Sequence, residues 1–261
     1  MLVLRMDWQA LVQPKMDYSL FVQLLDQDGK VQVQRDLPLV DSDPSSQAFQ
    51  ATSTWQAGQE ATSLVGLGIP AGTPPGPYRL ILGLYDPADG KRLPTGETDH
   101  IDLGTVAVER PSDAHPTATS RMRYRPNAAF SEVTLVGHDR YASGFAHAPD
   151  TPLHPGGTLS LVFEWRADGQ PSQDWMVKTR LVNDRDQTVA TMNAPLVSER
   201  YPTSQWMAGE IVRGEHDLPV PAALAPGRYQ LQLAVYPSHR ADQPSDWADL
   251  GPVLVSQPDG Q

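Results

Sequence analysis

The chain has no cysteine among its 261 residues, which removes disulfides, thiolate catalysis and cysteine-based zinc sites together. Positive charge is also scarce. Twenty Lys and Arg stand against 31 Asp and Glu, a formal charge of −11; phosphate backbones are held by basic side chains, so no nucleic-acid partner is expected. Attraction to an anionic membrane surface is disfavoured for the same reason. No apolar run approaches the roughly 18–20 residues of a membrane helix, and the opening MLVLRMDW places Arg5 and Asp7 where a signal peptide needs uninterrupted apolar residues. No direct membrane insertion of this chain is expected. A glycine-rich phosphate loop and a Gly-x-Ser-x-Gly elbow are both missing, so neither phosphate chemistry nor an esterase-type nucleophile announces itself.

What the chain has in quantity is punctuation. Twenty-five prolines and 20 glycines cluster between short apolar runs, the pattern of many strands joined by many turns. An apolar share of 39% with 20% charged residues supports packed cores, and the length accommodates two domains of ordinary size.

The two domains are written as a repeat. LVLRMDWQA from Leu2 lies over LSLVFEWRA from Leu159, so that Leu2, Leu4, Met6 and Trp8 fall on Leu159, Leu161, Phe163 and Trp165. Period-two alternation marks a strand with one face buried. The same offset of 157 carries YSLFVQLL from Tyr18 onto WMVKTRLV from Trp175, each followed by a turn, DQDGK and NDRDQ, whose Asp, Asn and Gly suit a tight hairpin. The register slips within LVDSDPSSQAF, read as a loop insertion. Beyond it an offset of 151 pairs STWQAGQE with SQWMAGE, setting Trp55 on Trp206 and Gly58 on Gly209, and PPGPYRLILGLY with APGRYQLQLAVY. LGTVAV from Leu103 then matches LGPVLV from Leu250.

These segments predict an all-β protein: two tandem antiparallel β-sandwiches of immunoglobulin-like type, produced by internal duplication. Residues 1–109 form the first sandwich, 110–127 a proline-rich linker, 128–256 the second sandwich and 257–261 a tail. The copies differ at their starts. SEVTLVGHDR, Ser131 to Arg140, is a strand candidate preceding the second copy of the first motif, and nothing stands at that place before Leu2. The first sandwich is therefore expected to lack its opening strand, and the chain is expected to be a fragment of something longer.

PGGTLSLVFEWRA, LLDQDGK, YPTSQWMAGE and PPGPYRLILGLYDPADGKRLP resemble the C-terminal soluble domain of bacterial polytopic membrane glycosyltransferases of the protein-mannosyltransferase type. The resemblance implies a module on the extracytoplasmic face of the cell membrane, beside a membrane glycosyltransferase or its glycan. The catalytic carboxylates of such enzymes lie in their membrane portion, so this chain is expected to be non-catalytic.

Candidate chemistry is sparse. Trp55, Trp206 and the neighbouring Tyr201 form a candidate glycan-binding platform, since a ring with an apolar face and a wet rim stacks on sugars; the repetition of the tryptophan in both copies favours instead a ring that closes each core. DQDGK lacks the glutamate of a calcium loop and reads as a hairpin turn. His147, His154 and the histidine of GHD show no metal-ligand spacing, and no metal or other cofactor is implied. Asp86 has no identifiable second carboxylate for glycoside hydrolysis. Three functions follow: an accessory or recognition module contacting glycan, a purely structural or protein-binding sandwich pair, and a glycoside hydrolase-like enzyme.

Overall fold

The computed structural model describes residues 1–42, 50–110, 121–142, 152–240 and 244–257. The chain divides into two compact units, Met1–Pro70 with Pro75–Glu109, and Ala71–Pro74 with Arg110–Gln261. Among the described residues there are strands and two single 3-10 turns, and no α-helix.

The first unit contains β1 (Leu2–Gln9), β2 (Ser19–Leu25), β3 (Val31–Pro38), β4 (Val40–Asp41), β5 (Gln50–Ala51), β6 (Glu60–Leu67), β7 (Gly76–Tyr85) and β8 (Ile101–Val108). One sheet runs β3-β2-β7-β8, the other is the pair β1-β6, and β4 and β5 form a short ribbon. The second contains β9 (Ala128–Phe130), β10 (Val133–Ala142), β11 (Thr158–Ala167), β12 (Trp175–Val182), β13 (Thr188–Pro195), β14 (Ile211–Pro219), β15 (Gly227–Pro237) and β16 (Ala248–Val255). Its sheets are β13-β12-β15-β16 and β14-β11-β10-β9, with antiparallel pairing throughout.

The alternating residues do as their period dictates. In the first unit Leu20, Val22, Leu24, Tyr78, Leu80 and Leu82 enter one core with Val65 and Leu67. In the second Val177, Leu181, Tyr229, Leu231 and Leu233 meet Leu161, Phe163, Trp165 and Leu218. The hairpins close as expected: Asp26 Oδ1 accepts the N–H groups of Asp28 and Lys30, both at 2.9 Å, and Asn183 Oδ1 those of Arg185 and Gln187 at 3.0 and 2.9 Å. These are side-chain-braced turns.

β10 is the SEVTLVGHDR strand, and it lies on β11 with Thr134 opposite Arg166 and Leu135 opposite Trp165. β1, the counterpart of β11, pairs only with β6 among the described residues. β1 thus has a strand on one side only among the described residues, and the consequence is graded burial. Leu159, Leu161, Phe163 and Trp165 are fully enclosed, whereas Leu2, Leu4, Met6 and Trp8 are only partly buried.

Of the linker expected over 110–127, residues 111–120 lie outside the described residues. Tyr124 exchanges main-chain hydrogen bonds with His138, 3.2 and 2.8 Å, so the segment after the gap already belongs to the second sandwich. His147 also lies outside the described residues.

Candidate functional site

The repeated tryptophan is the hub of a bend built twice. Before each lies a 3-10 turn, Thr52–Thr54 and Thr203–Gln205. The hydroxyl of Thr52 donates to Met16 O and accepts from Tyr18 N–H, 3.0 and 2.8 Å; Thr203 does the same with Gln173 O and Trp175 N–H, both at 2.8 Å. Asp17 and Asp174 accept the N–H groups of Ser53 and Ser204, 3.0 and 3.1 Å. The indole N–H of Trp55 donates to Gln50 O and that of Trp206 to Tyr201 O, 3.1 and 3.2 Å. Gly58 and Gly209 then turn the chain at φ 83° and 77°, a conformation glycine takes without steric penalty, and donate to Ala10 O and Ala167 O.

The aromatic rings of these bends are turned inward. Trp55, Trp206 and Tyr201 are 3%, 1% and 5% exposed, so the sugar-stacking platform expected of them is not presented at the surface. The physical reason is economy of burial: an indole whose N–H already has a main-chain acceptor loses nothing by leaving water, and its full apolar area then seals the core. In the second unit the enclosure includes charge. The Tyr201 hydroxyl donates to Glu210 at 2.7 Å and accepts from Arg110 at 2.5 Å, and Arg110 also donates to Gln205 O at 2.8 Å. Burial first, then the Glu210 acceptor, push the Tyr201 phenol well above its usual range. A cleft of about 240 Å³ opens beside this bend, lined by Trp175, Leu196, Tyr201 and Asp174. It is smaller than the roughly 300–1,000 Å³ of most ligand sites.

The other sequence candidates settle into structural roles. Asp86 braces its own turn through Ala88 N–H at 2.8 Å. His154 Nδ1 is 2.9 Å from Ser256 O. The histidine of GHD, His138, is buried beneath Tyr124, rings stacked at 4.8 Å. Among the described residues no three His, Asp or Glu side chains gather as a metal site would require, and no helix is long and apolar enough to cross a membrane.

Trp247, just ahead of β16, is half-buried and belongs to neither core. The Arg180 guanidinium lies 4.0 Å from the centre of its ring. Arg180 projects from the outer face of β12, where it donates to Gln232 on β15 at 2.8 Å and pairs with Asp186 at 3.6 Å. Its side chain is only 19% exposed, so the cation is held between the sheet and the indole. The approach of Trp247 is set by Ser245, whose N–H donates to Val235 O and whose hydroxyl accepts from Val235 N–H, 2.8 and 3.0 Å. Around it Lys178, Gln230 and Asp249 share the same side of the sheet by strand alternation. The result is a face on which Trp247, with Tyr236 on the same side of β15, stands among a dense set of amide, carboxylate and guanidinium groups.

The first unit builds the same face differently. The offsets place Phe21, Gln23 and Ile81 where Lys178, Arg180 and Gln232 stand, and His100 in place of Trp247. Phe21, Leu25 and Ile81 make a small apolar cluster with Val31 and Tyr85, roofed by Arg92, 4.1 Å above the Phe21 ring. Gly83 permits this roof, since a Cβ there would stand 2.3 Å from Phe21 and 2.9 Å from Asp99 O. Its counterpart is Ala234. Sequence reading passed over Trp247 because it has no partner in the repeat, and its only signal was a lone tryptophan in a polar stretch, PSDWADL.

No protein-family model matches the chain, and a search of curated proteins returns no match. Among solved structures it is similar to the C-terminal domain of wzt, at 13% identity and a TM-score of 0.39, over 57% of this chain and 88% of that domain. It is similar also to a glycosyl hydrolase family 2 member from Bacteroides cellulosilyticus, 11% identical with a TM-score of 0.30 over 95% of this chain. A β-glucuronidase from Bacteroides uniformis is 11% identical, TM-score 0.32, over 94%. The chain spans only 26% and 25% of those two hydrolases. No residue role transfers across similarities this low.

Proposed function

We propose that this chain is a non-catalytic recognition module of a cell-envelope glycosyltransferase system, standing on the extracytoplasmic side, and that it contacts glycan through the outer sheet face of its second unit around Trp247. The observation that carries the reading is the indole of Trp247 held outside the core against the half-buried Arg180. A pyranose presents C–H groups on one face and hydroxyls at its rim, and an indole ringed by Arg180, Gln232 and Asp186 offers an apolar platform with donors and acceptors beside it. The resemblance of the turn and strand motifs to domains appended to membrane glycosyltransferases supports the setting.

The test is binding of the purified chain to an array of bacterial cell-envelope glycans, followed by calorimetry on the strongest ligand. An aromatic contact of about 1–1.5 kcal/mol corresponds to about tenfold in affinity, so W247A weakens binding by about that factor while leaving the melting temperature unchanged. Equal binding by W247A and the parent, or no glycan bound at all, sinks the reading.

A further inference from the structure

We infer that the Trp247 face selects acidic sugars: a uronic acid lays its ring on Trp247 and sets its carboxylate on Lys178. This rests on the glycan-platform reading above and names the class of sugar the platform takes.

Strand register puts the groups concerned in one row across the sheet. Lys178 of β12 stands opposite Asn193 of β13 on one side and Ala234 of β15 on the other. Leu233 is opposite Ala248, so Trp247 comes level with Ala234. The row therefore reads amide, ammonium, methyl, indole. Ala234 is wholly covered, and β15 adds nothing larger than its methyl between the cation and the ring. Neighbouring strands lie about 4.8 Å apart, which sets the backbones bearing Lys178 and Trp247 about 10 Å apart. A pyranose over the indole, its exocyclic carboxylate directed along the row, and the lysine stem together cover that span.

Lys178 is the member of this face that lacks a partner. It is half-buried, and among the described residues it makes neither an ion pair nor a hydrogen bond. The charges around it are already matched. Arg180 is committed to Gln232, Asp186 and the Trp247 ring, while Asp249 accepts from the Gln230 amide and, at 2.7 Å, from Gly251 N–H. The face thus keeps one cation with three unused donors. A carboxylate supplies what it lacks, because charge-assisted hydrogen bonds are shorter and stronger than those to neutral oxygen. In the first unit the same row is closed from within. Phe21 stands in place of Lys178, and the cation there, Arg92, lies over the Phe21 ring and pairs with Asp99 at 3.3 Å. That face is matched without a ligand.

Matched methyl glycosides test this: glucose with glucuronic acid, galactose with galacturonic acid, mannose with mannuronic acid, and a hexose phosphate as a second kind of anion. Each is titrated into the isotope-labelled chain and followed by NMR. The expected result is that one or more of the acids binds about tenfold tighter than its neutral partner, the worth of one hydrogen bond to a charged group. K178M abolishes that preference by weakening the acid, K178R retains most of it, and W247A weakens both members of a pair; circular dichroism verifies that each variant is folded. Acid and neutral sugars that bind alike, or a preference that survives K178M, overturn the inference and leave the platform standing. A phosphate preferred over every uronic acid overturns the carboxylate assignment. A set in which no sugar binds overturns the inference and, together with an empty glycan array, the platform as well.

Discussion

The two units carry the same bend, the same hairpins and the same inward rows, yet one encloses its first strand and the other leaves it half bare. β10 makes the difference. Laid against β11, it completes the cover over Leu159, Leu161, Phe163 and Trp165; without it, Leu2, Leu4, Met6 and Trp8 keep part of their surface in water. A strand's sequence therefore does not decide whether it is core. Its neighbour does, because an apolar side chain contributes in proportion to the area its surroundings remove from solvent.

The comparison breaks most visibly at the paired tryptophans Trp165 and Trp8. W165A should cost the second unit about 3–5 kcal/mol, the range for deleting a large buried aromatic, while W8A should cost the first unit less than half as much, since its ring is partly exposed already. Native-state hydrogen exchange, read separately over β11 and β1, measures both. Equal losses would show that the edge of the first unit is covered as fully as that of the second.

A second difference sits on β10 itself. His138 is buried against Tyr124 and Phe163, and burial, with the nearby Arg140 cation, depresses its imidazole from 6.5 to about 4. The unfolded chain thus binds a proton between those values that the folded chain refuses. This stability is fully present above the unfolded pKa and falls as pH drops through it toward about 4, by up to about 3 kcal/mol. Among the described residues the first unit has no counterpart of β10, so acid should loosen the second unit selectively, and H138F should remove that part of the slope. Thermal melts and hydrogen exchange between neutral pH and about pH 4.5 follow it; a slope unchanged by H138F would refute the assignment.

The smallest effect should be shared. Thr52 and Thr203 are both buried and each hydroxyl both donates and accepts. T52V and T203V each strand a main-chain donor and an acceptor, costing about 1–3 kcal/mol, and the two losses should agree within about 0.5 kcal/mol. Urea unfolding of the two variants would expose any departure, which would mean that the bend serves the units differently.

Much of this was legible in the residues. The period-two rows of LVLRMDW and LSLVFEW declare strands, and the doubled STW and SQW declare the bend, because each is a local pattern whose meaning depends on nearby chain. The extra strand of the second unit was legible as SEVTLVGHDR, which is β10. The fate of Trp55, Trp206 and Tyr201 was not, since a tryptophan in a turn reads alike whether its ring faces sugar or core. Trp247 was invisible for a related reason: its neighbours, Arg180 and Gln232, come from strands 67 and 15 residues away, and only sheet pairing brings them together.

By itself, then, the amino-acid order determined an all-β duplication, its strands, its braced turns and the repeated bend, all of which follow from alternation and from the backbone preferences of Gly, Asp, Asn and Pro. Tertiary structure decided which rings are sealed and which stay partly in water, which row of leucines is core and which is edge, and where one sheet face became oily and its twin polar. Those outcomes turn on area removed from water and on partners drawn from distant strands, quantities that exist only once the sheets have paired and packed.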